Sequence, residues 1–188
     1  MTRIPAAIAV LLLAAFAVTG CRSSTVSSIP GSPSVVRAAS ADEKAALLER
    51  VKSLAGTWEC PDENGKSQTC AVFAVTSAGS AVREVMFPGA EHEMTNVYHM
   101  DGPSLVMVHY CAVGDQPHMR ATWDGRKDSD RIELNFDGVT NYTAKDQHVM
   151  AAMTLVFLDH DHIREEWSSL ENGKPVKHAV FAMTRKKG

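Results

Sequence analysis

The chain is short of most features that announce a function. Only 6% of its 188 residues are aromatic, and its 19 Lys and Arg are outnumbered by 22 Asp and Glu, for a formal net charge of −3. Without a basic surplus there is no electrostatic footprint for nucleic acid, so that class of partner is excluded. There is no Gly-rich phosphate loop, no paired-Cys zinc pattern, no Gly-x-Ser-x-Gly elbow and no His-Glu-x-x-His pair, so the sequence motifs of the corresponding enzyme classes are missing. Only four cysteines occur.

A long apolar run is also missing, and the one short run is informative. Ile4–Val18 follows Arg3, is too short for a comfortable membrane span, and leads into Val18-Thr19-Gly20-Cys21. Small residues before a cysteine are what a lipoprotein signal peptidase requires. Residues 1–20 therefore read as a signal peptide and Cys21 as the lipidated first residue of the mature chain, resembling bacterial lipoproteins. Residues 21–39 follow as a Ser- and Pro-rich tether, and residues 40–188 as the folded domain. Arg22 rather than Asp after the cysteine favours an outer-membrane address facing the periplasm in a Gram-negative cell. Loss of Arg3 makes the mature chain one unit more acidic, and export permits disulfides.

Ser40-Ala41-Asp42-Glu43 has the spacing of a capping box, and Ala46, Leu47, Val51 and Leu54 fall on one face of the helix it would start. Beyond Leu54 the pattern changes from helical to period-two. Ten strands are expected at 54–60, 68–75, 81–87, 92–100, 104–112, 118–124, 131–137, 148–159, 162–170 and 174–185. Turn residues punctuate them, among them Asn64-Gly65, Asp101-Gly102, Asp137-Gly138 and Asn172-Gly173. Consecutive strands with short connections read as an all-β, antiparallel, up-and-down meander with a short N-terminal helix. Closure into a barrel removes the exposed edges.

Gly56-Thr57-Trp58 after that helix resembles the Gly-x-Trp opening of lipocalin-like (calycin) barrels, in which the Trp plugs one end. Phe87-Pro88-Gly89, His109-Tyr110-Cys111 and Gln116–Arg120 are similar to segments of a group of uncharacterised bacterial secreted proteins. The resemblance implies a barrel and carries no activity.

The stretch His92–Arg120 concentrates the reactive side chains. An even loop at Asp101-Gly102 pairs Met100 with Leu105, Tyr98 with Met107, Asn96 with His109 and Met94 with Cys111, which puts these eight on one face, taken as the interior. A two-residue loop at His160-Asp161 pairs Val156 with Glu165 and Thr154 with Trp167, making Glu165 an acid among apolar neighbours. On 81–87 either Arg83 or Glu84 must face inward. Buried charge is costly unless paired, so Arg120 or a histidine is expected to meet a glutamate inside. The expected ligand-binding set is thus Glu84, Met94, Asn96, Tyr98, Met107, His109, Cys111, Arg120, Glu165 and Trp167.

A three-residue loop at 64–66 sets Cys60 opposite Cys70, a reasonable disulfide. Cys111 is left as a free thiol beside His109, without the third orienting group that hydrolysis needs. His160 and His162 read as a solvated hairpin tip, and no metal site or cofactor is expected. The alternative cofactor is haem, since nitrobindin-like barrels ligate iron through a last-strand histidine and His178 lies there. That group's Gln-Arg-Thr-Trp segment is missing from this chain. The functional expectation is an envelope lipoprotein binding a small hydrophobic or amphipathic ligand. The alternative is a structural or assembly protein of the envelope whose barrel is filled by its own side chains.

Overall fold

Each period-two run becomes a strand, and the first pairs with the last. The computed structural model describes residues 34–187 apart from 127–128, 145–146 and 172–173, and not the side chains of Pro175, Lys177 and His178. Cys21, the signal peptide, most of the tether, the Asn172-Gly173 turn and the proposed haem ligand His178 therefore lie outside the described residues. The strands are β1 (Gly56–Pro61), β2 (Ser67–Thr76), β3 (Ala81–Met86), β4 (Met94–Asp101), β5 (Ser104–Tyr110), β6 (Gln116–Thr122), β7 (Arg131–Thr140), β8 (Val149–Phe157), β9 (His162–Glu171) and β10 (Lys174–Arg185). They form one closed antiparallel barrel in sequence order, with β1 against β10.

The expected single helix is two short ones, α1 (Ala41–Ala46) and α2 (Leu48–Lys52), broken at Leu47. Both halves of the capping box are present: Glu43 N donates to Ser40 Oγ and Ser40 N donates to Glu43 Oε2. Arg37 holds the same carboxylate from outside at 2.7 Å. Leu47, Leu48, Val51 and Leu54 are buried, and they close one end of the barrel. Trp58 lies directly beneath, fully buried, with Nε1 donating to Leu54 O at 2.8 Å. The Arg185 guanidinium stacks over its indole at 4.3 Å and donates to Ala55 O and Ser53 O. Helix, first strand and last strand are thereby tied at one point.

Three local expectations are corrected. Asp137-Gly138 is not a turn; Gly138, at φ +147°, sits inside β7 opposite His118 where the β6–β7 register shifts, and the chain turns later, at Asn141. The 160–161 hairpin has one more loop residue than expected, because Leu158 N donates to His162 O. The shift pairs Leu155 with Glu165 and Met153 with Trp167. Cys60 is opposite Gln68 rather than Cys70, because the loop is 63–65 and not 64–66, Asp62 N donating to Lys66 O, and a bulge between Trp58 and Glu59 leaves Cys70 as the extra residue. The two cysteines are still joined, with Cα atoms 5.6 Å apart.

Candidate functional site

Along the barrel axis the interior falls into three layers. The helix-plugged end is apolar, packed with Trp58, Val82, Leu105, Ile132, Ile163 and Met183. The middle is polar. The far end holds a cavity.

The polar layer follows from the strand registers. β3 pairs Glu84 with Asn96 on β4, and β4 pairs Asn96 with His109 and Tyr98 with Met107 on β5. Adjacent strands at the same height thus put Glu84, Asn96 and His109 in a row, all pointing inward with at most 2% of their surface exposed. Glu84 Oε2 accepts from Asn96 Nδ2 and from the Tyr98 hydroxyl, each at 2.7 Å. Asn96 Oδ1 meets His109 Nδ1 at 2.7 Å. From the opposite wall Glu165 reaches across to Glu84, and Trp167 Nε1 donates to Glu165 Oε2 at 3.0 Å. The His109 and Trp167 rings lie 4.9 Å apart, which closes the circuit.

Two carboxyl groups sealed from water cannot both ionise without a cation, and none is present in this layer. Burial pushes both above the usual carboxylate range, and the charge on Glu84 pushes Glu165 further. One proton shared between Glu84 and Glu165 leaves the pair a single negative charge, and Glu84 Oε2 meets it with two donors, Asn96 and Tyr98. Burial and the two glutamates push the Tyr98 hydroxyl well above its ordinary value, so it stays a donor. Burial lowers His109 to about 4, so it is neutral.

Glu165 and His109 give opposite pH dependences to folding. The raised Glu165 value means that the folded chain keeps a proton the unfolded chain releases above about pH 4.5; this stabilisation is lost as pH rises through the folded value. The depressed His109 value contributes stability that is full above 6.5 and lost as pH falls through about 4. Up to 6.5 the rise from His109 opposes the fall from the two raised glutamates. Above 6.5 the His109 contribution is complete, and the glutamate pair can only lower stability as pH rises. Denaturant unfolding is therefore expected to show no gain in stability above that pH, and Glu165→Gln should remove the downward contribution of the pair. Stability that rises steadily through neutral pH would contradict the shared proton.

Beyond His109 a cavity of about 330 Å³ opens, lined by Met86, Met94, His109, Cys111, Trp167 and Phe181 together with Ala179, Met150, His148 and His92. Its rim carries the exposed Val113. Three methionines make the walls adaptable. His109 is 2% exposed, and its Nε2 has no hydrogen-bond partner. Cys111 is half-buried and free. Burial, reinforced by the nearby Asp115 charge, raises its pKa, the opposite of what activates a thiol nucleophile.

The expected ligand-binding set is thus divided by position. Glu84, Asn96, Tyr98, His109, Glu165 and Trp167 form the network, and Met94 and Cys111 join His109 and Trp167 around the cavity. Met107 is fully buried packing. Arg120 is outside: between the inward-facing Met119 and Ala121, it pairs with Asp101 and Asp137 at 2.9 Å each. The partner for buried Glu84 is a second glutamate, and no arginine enters. Met86 shares β3 and its face with Glu84, whereas Met150 and Phe181, on β8 and β10, had no local signal beyond being apolar.

A larger concavity of about 690 Å³ lies outside the barrel wall, where β6 and β7 part beside α1, with Arg50, Trp123, Arg126 and Arg131 in its lining. Arg126 and Arg131 are engaged by Asp124 and Asp130, and Arg50 donates to Ser129 O and stacks on Phe157. Its cations are already satisfied. His160 and His162 are exposed and bonded to Asp161 and Asp159. Among the described residues no cluster of three or more His, Cys, Asp or Glu is placed to hold a metal.

No protein-family model matches the chain, and no curated protein matches it. What can be said of its chemistry comes from its own residues.

Proposed function

We propose that this protein is an exported, lipid-anchored barrel that holds a small, partly apolar ligand in the cavity facing away from its helical plug. The observation that carries the reading is the cavity itself: largely apolar walls with a few polar side chains among them, including the buried ring of His109, which is the usual composition of a small-molecule site. Anchoring rests on the Val18–Cys21 lipobox and the tether after it, and the outer-membrane address on Arg22. Among the described residues no helix is long and apolar enough to cross a membrane.

A filled interior favours the second reading, an envelope structural protein working through its outer surface. Trp58 fills the plugged end, and Phe73, Tyr98, Met107, Met119, Met153 and Trp167 are all buried in the middle of the barrel. Native mass spectrometry of the full chain purified gently from membranes separates the two. The expected result is a small-molecule adduct on the native protein that Met94→Trp, which fills the cavity, abolishes. A bare mass for the native protein together with a co-purifying protein partner would overturn the ligand reading.

A further inference from the structure

We propose that the cavity selects neutral molecules that donate a hydrogen bond, such as phenols and alcohols, through the unprotonated Nε2 of His109. The inference rests on the ligand-binding reading above and names its ligand class. It begins with proton accounting in the polar layer. Glu84 Oε2 accepts from Tyr98 and from Asn96 Nδ2. The Asn96 amide is thereby fixed, and the atom it turns to His109 is its carbonyl oxygen, which can only accept. The hydrogen of that 2.7 Å bond must therefore be on His109 Nδ1. A neutral imidazole with hydrogen on Nδ1 has its lone pair on Nε2. Burial supports the neutral form, lowering the group to about 4.

The buried carboxylate thus dictates, through one amide, what the cavity offers its ligand. Nε2 has no partner among the described residues, although the His109 ring forms part of the cavity lining. A hydrocarbon would leave it unsatisfied. An anion would find neither lysine nor arginine among the described lining residues, and the Glu84 charge lies behind His109. A neutral donor on an apolar body matches both the methionine and aromatic walls and the unpartnered acceptor of the His109 ring among them.

The test uses the full chain and two probes of nearly equal shape, p-cresol and p-xylene, followed by calorimetric titration at neutral pH. The native protein is expected to bind p-cresol about tenfold tighter, roughly 1.4 kcal/mol. His109→Phe should bring the two within about threefold while p-xylene binding persists. Equal binding of both by the native protein, or preference retained in His109→Phe, would overturn the donor selectivity and leave the cavity reading standing. Binding of neither would overturn the cavity reading and this inference with it. Should His109→Phe fail to fold, imidazole ¹⁵N spectra of the native protein decide. The His109 Nε2 signal should be that of an unprotonated nitrogen and move with p-cresol but not with p-xylene, and a hydrogen on Nε2 in the free protein would refute the proposal.

Discussion

Glu84→Leu is expected to destabilise the barrel by about 3–5 kcal/mol, although it exchanges a buried charge for an apolar side chain of similar size. The expectation rests on what leucine leaves behind. The Tyr98 hydroxyl and the Asn96 amide both donate to Glu84, which shares a proton with Glu165. With the acceptor removed, two buried donors lose their partner together, each at a cost of about 1–3 kcal/mol, Glu165 loses the group it shares a proton with, and apolar burial offsets only part of the sum. Glu84→Gln keeps an acceptor oxygen and should cost less than half as much. Urea unfolding at neutral pH measures both variants. A Glu84→Leu protein as stable as the native one would mean that the layer is not a connected network.

Trp58→Ala should be of similar size, about 3–5 kcal/mol, for a different reason. The indole is completely buried beneath the helices, so truncation leaves a large void at the plugged end. It also removes the surface on which the Arg185 guanidinium rests, and that guanidinium ties the last strand to Ser53 and Ala55. A fall in Tm of roughly 6–20 °C is expected for a domain of this length. Trp58→Phe keeps a ring but loses the donor to Leu54 O, and should cost about 1–2 kcal/mol. Thermal melts of the two variants separate void from hydrogen bond.

The barrel was legible because its determinants are local. Period-two runs fix the strands, and the positive φ of Gly102, +56°, with the even loop around it fixes the β4–β5 register, so Asn96 facing His109 could be read directly. The candidate site depended on more distant facts. On β3 the charges alternate, Arg83 then Glu84, and nothing on that strand says which turns inward. The choice is made across the barrel by Glu165, far away in sequence, which shares the proton that makes burial of Glu84 tolerable. Expecting Arg120 there followed the rule that a buried acid wants a cation; a second acid satisfies the same requirement by sharing a proton. The break at Leu47 and the bulge at Cys70 were hidden because each accommodates tertiary packing rather than a local preference.

The seam between β1 and β10 gives the chain an order of assembly. Its ladder is short, Trp58 with Arg185 and Glu59 with Thr184, supplemented by Lys186 N donating to Thr57 O. The other nine seams join neighbours in sequence, and each can zip as soon as its hairpin exists. This one joins the two ends of the folded domain and bears the full loop-closure entropy. A copy lacking the end of β10 would keep the other nine seams and have an open edge on each flank. The end of β10 is the clasp, and until it is in place the sheet remains a curved ribbon able to pair with another chain.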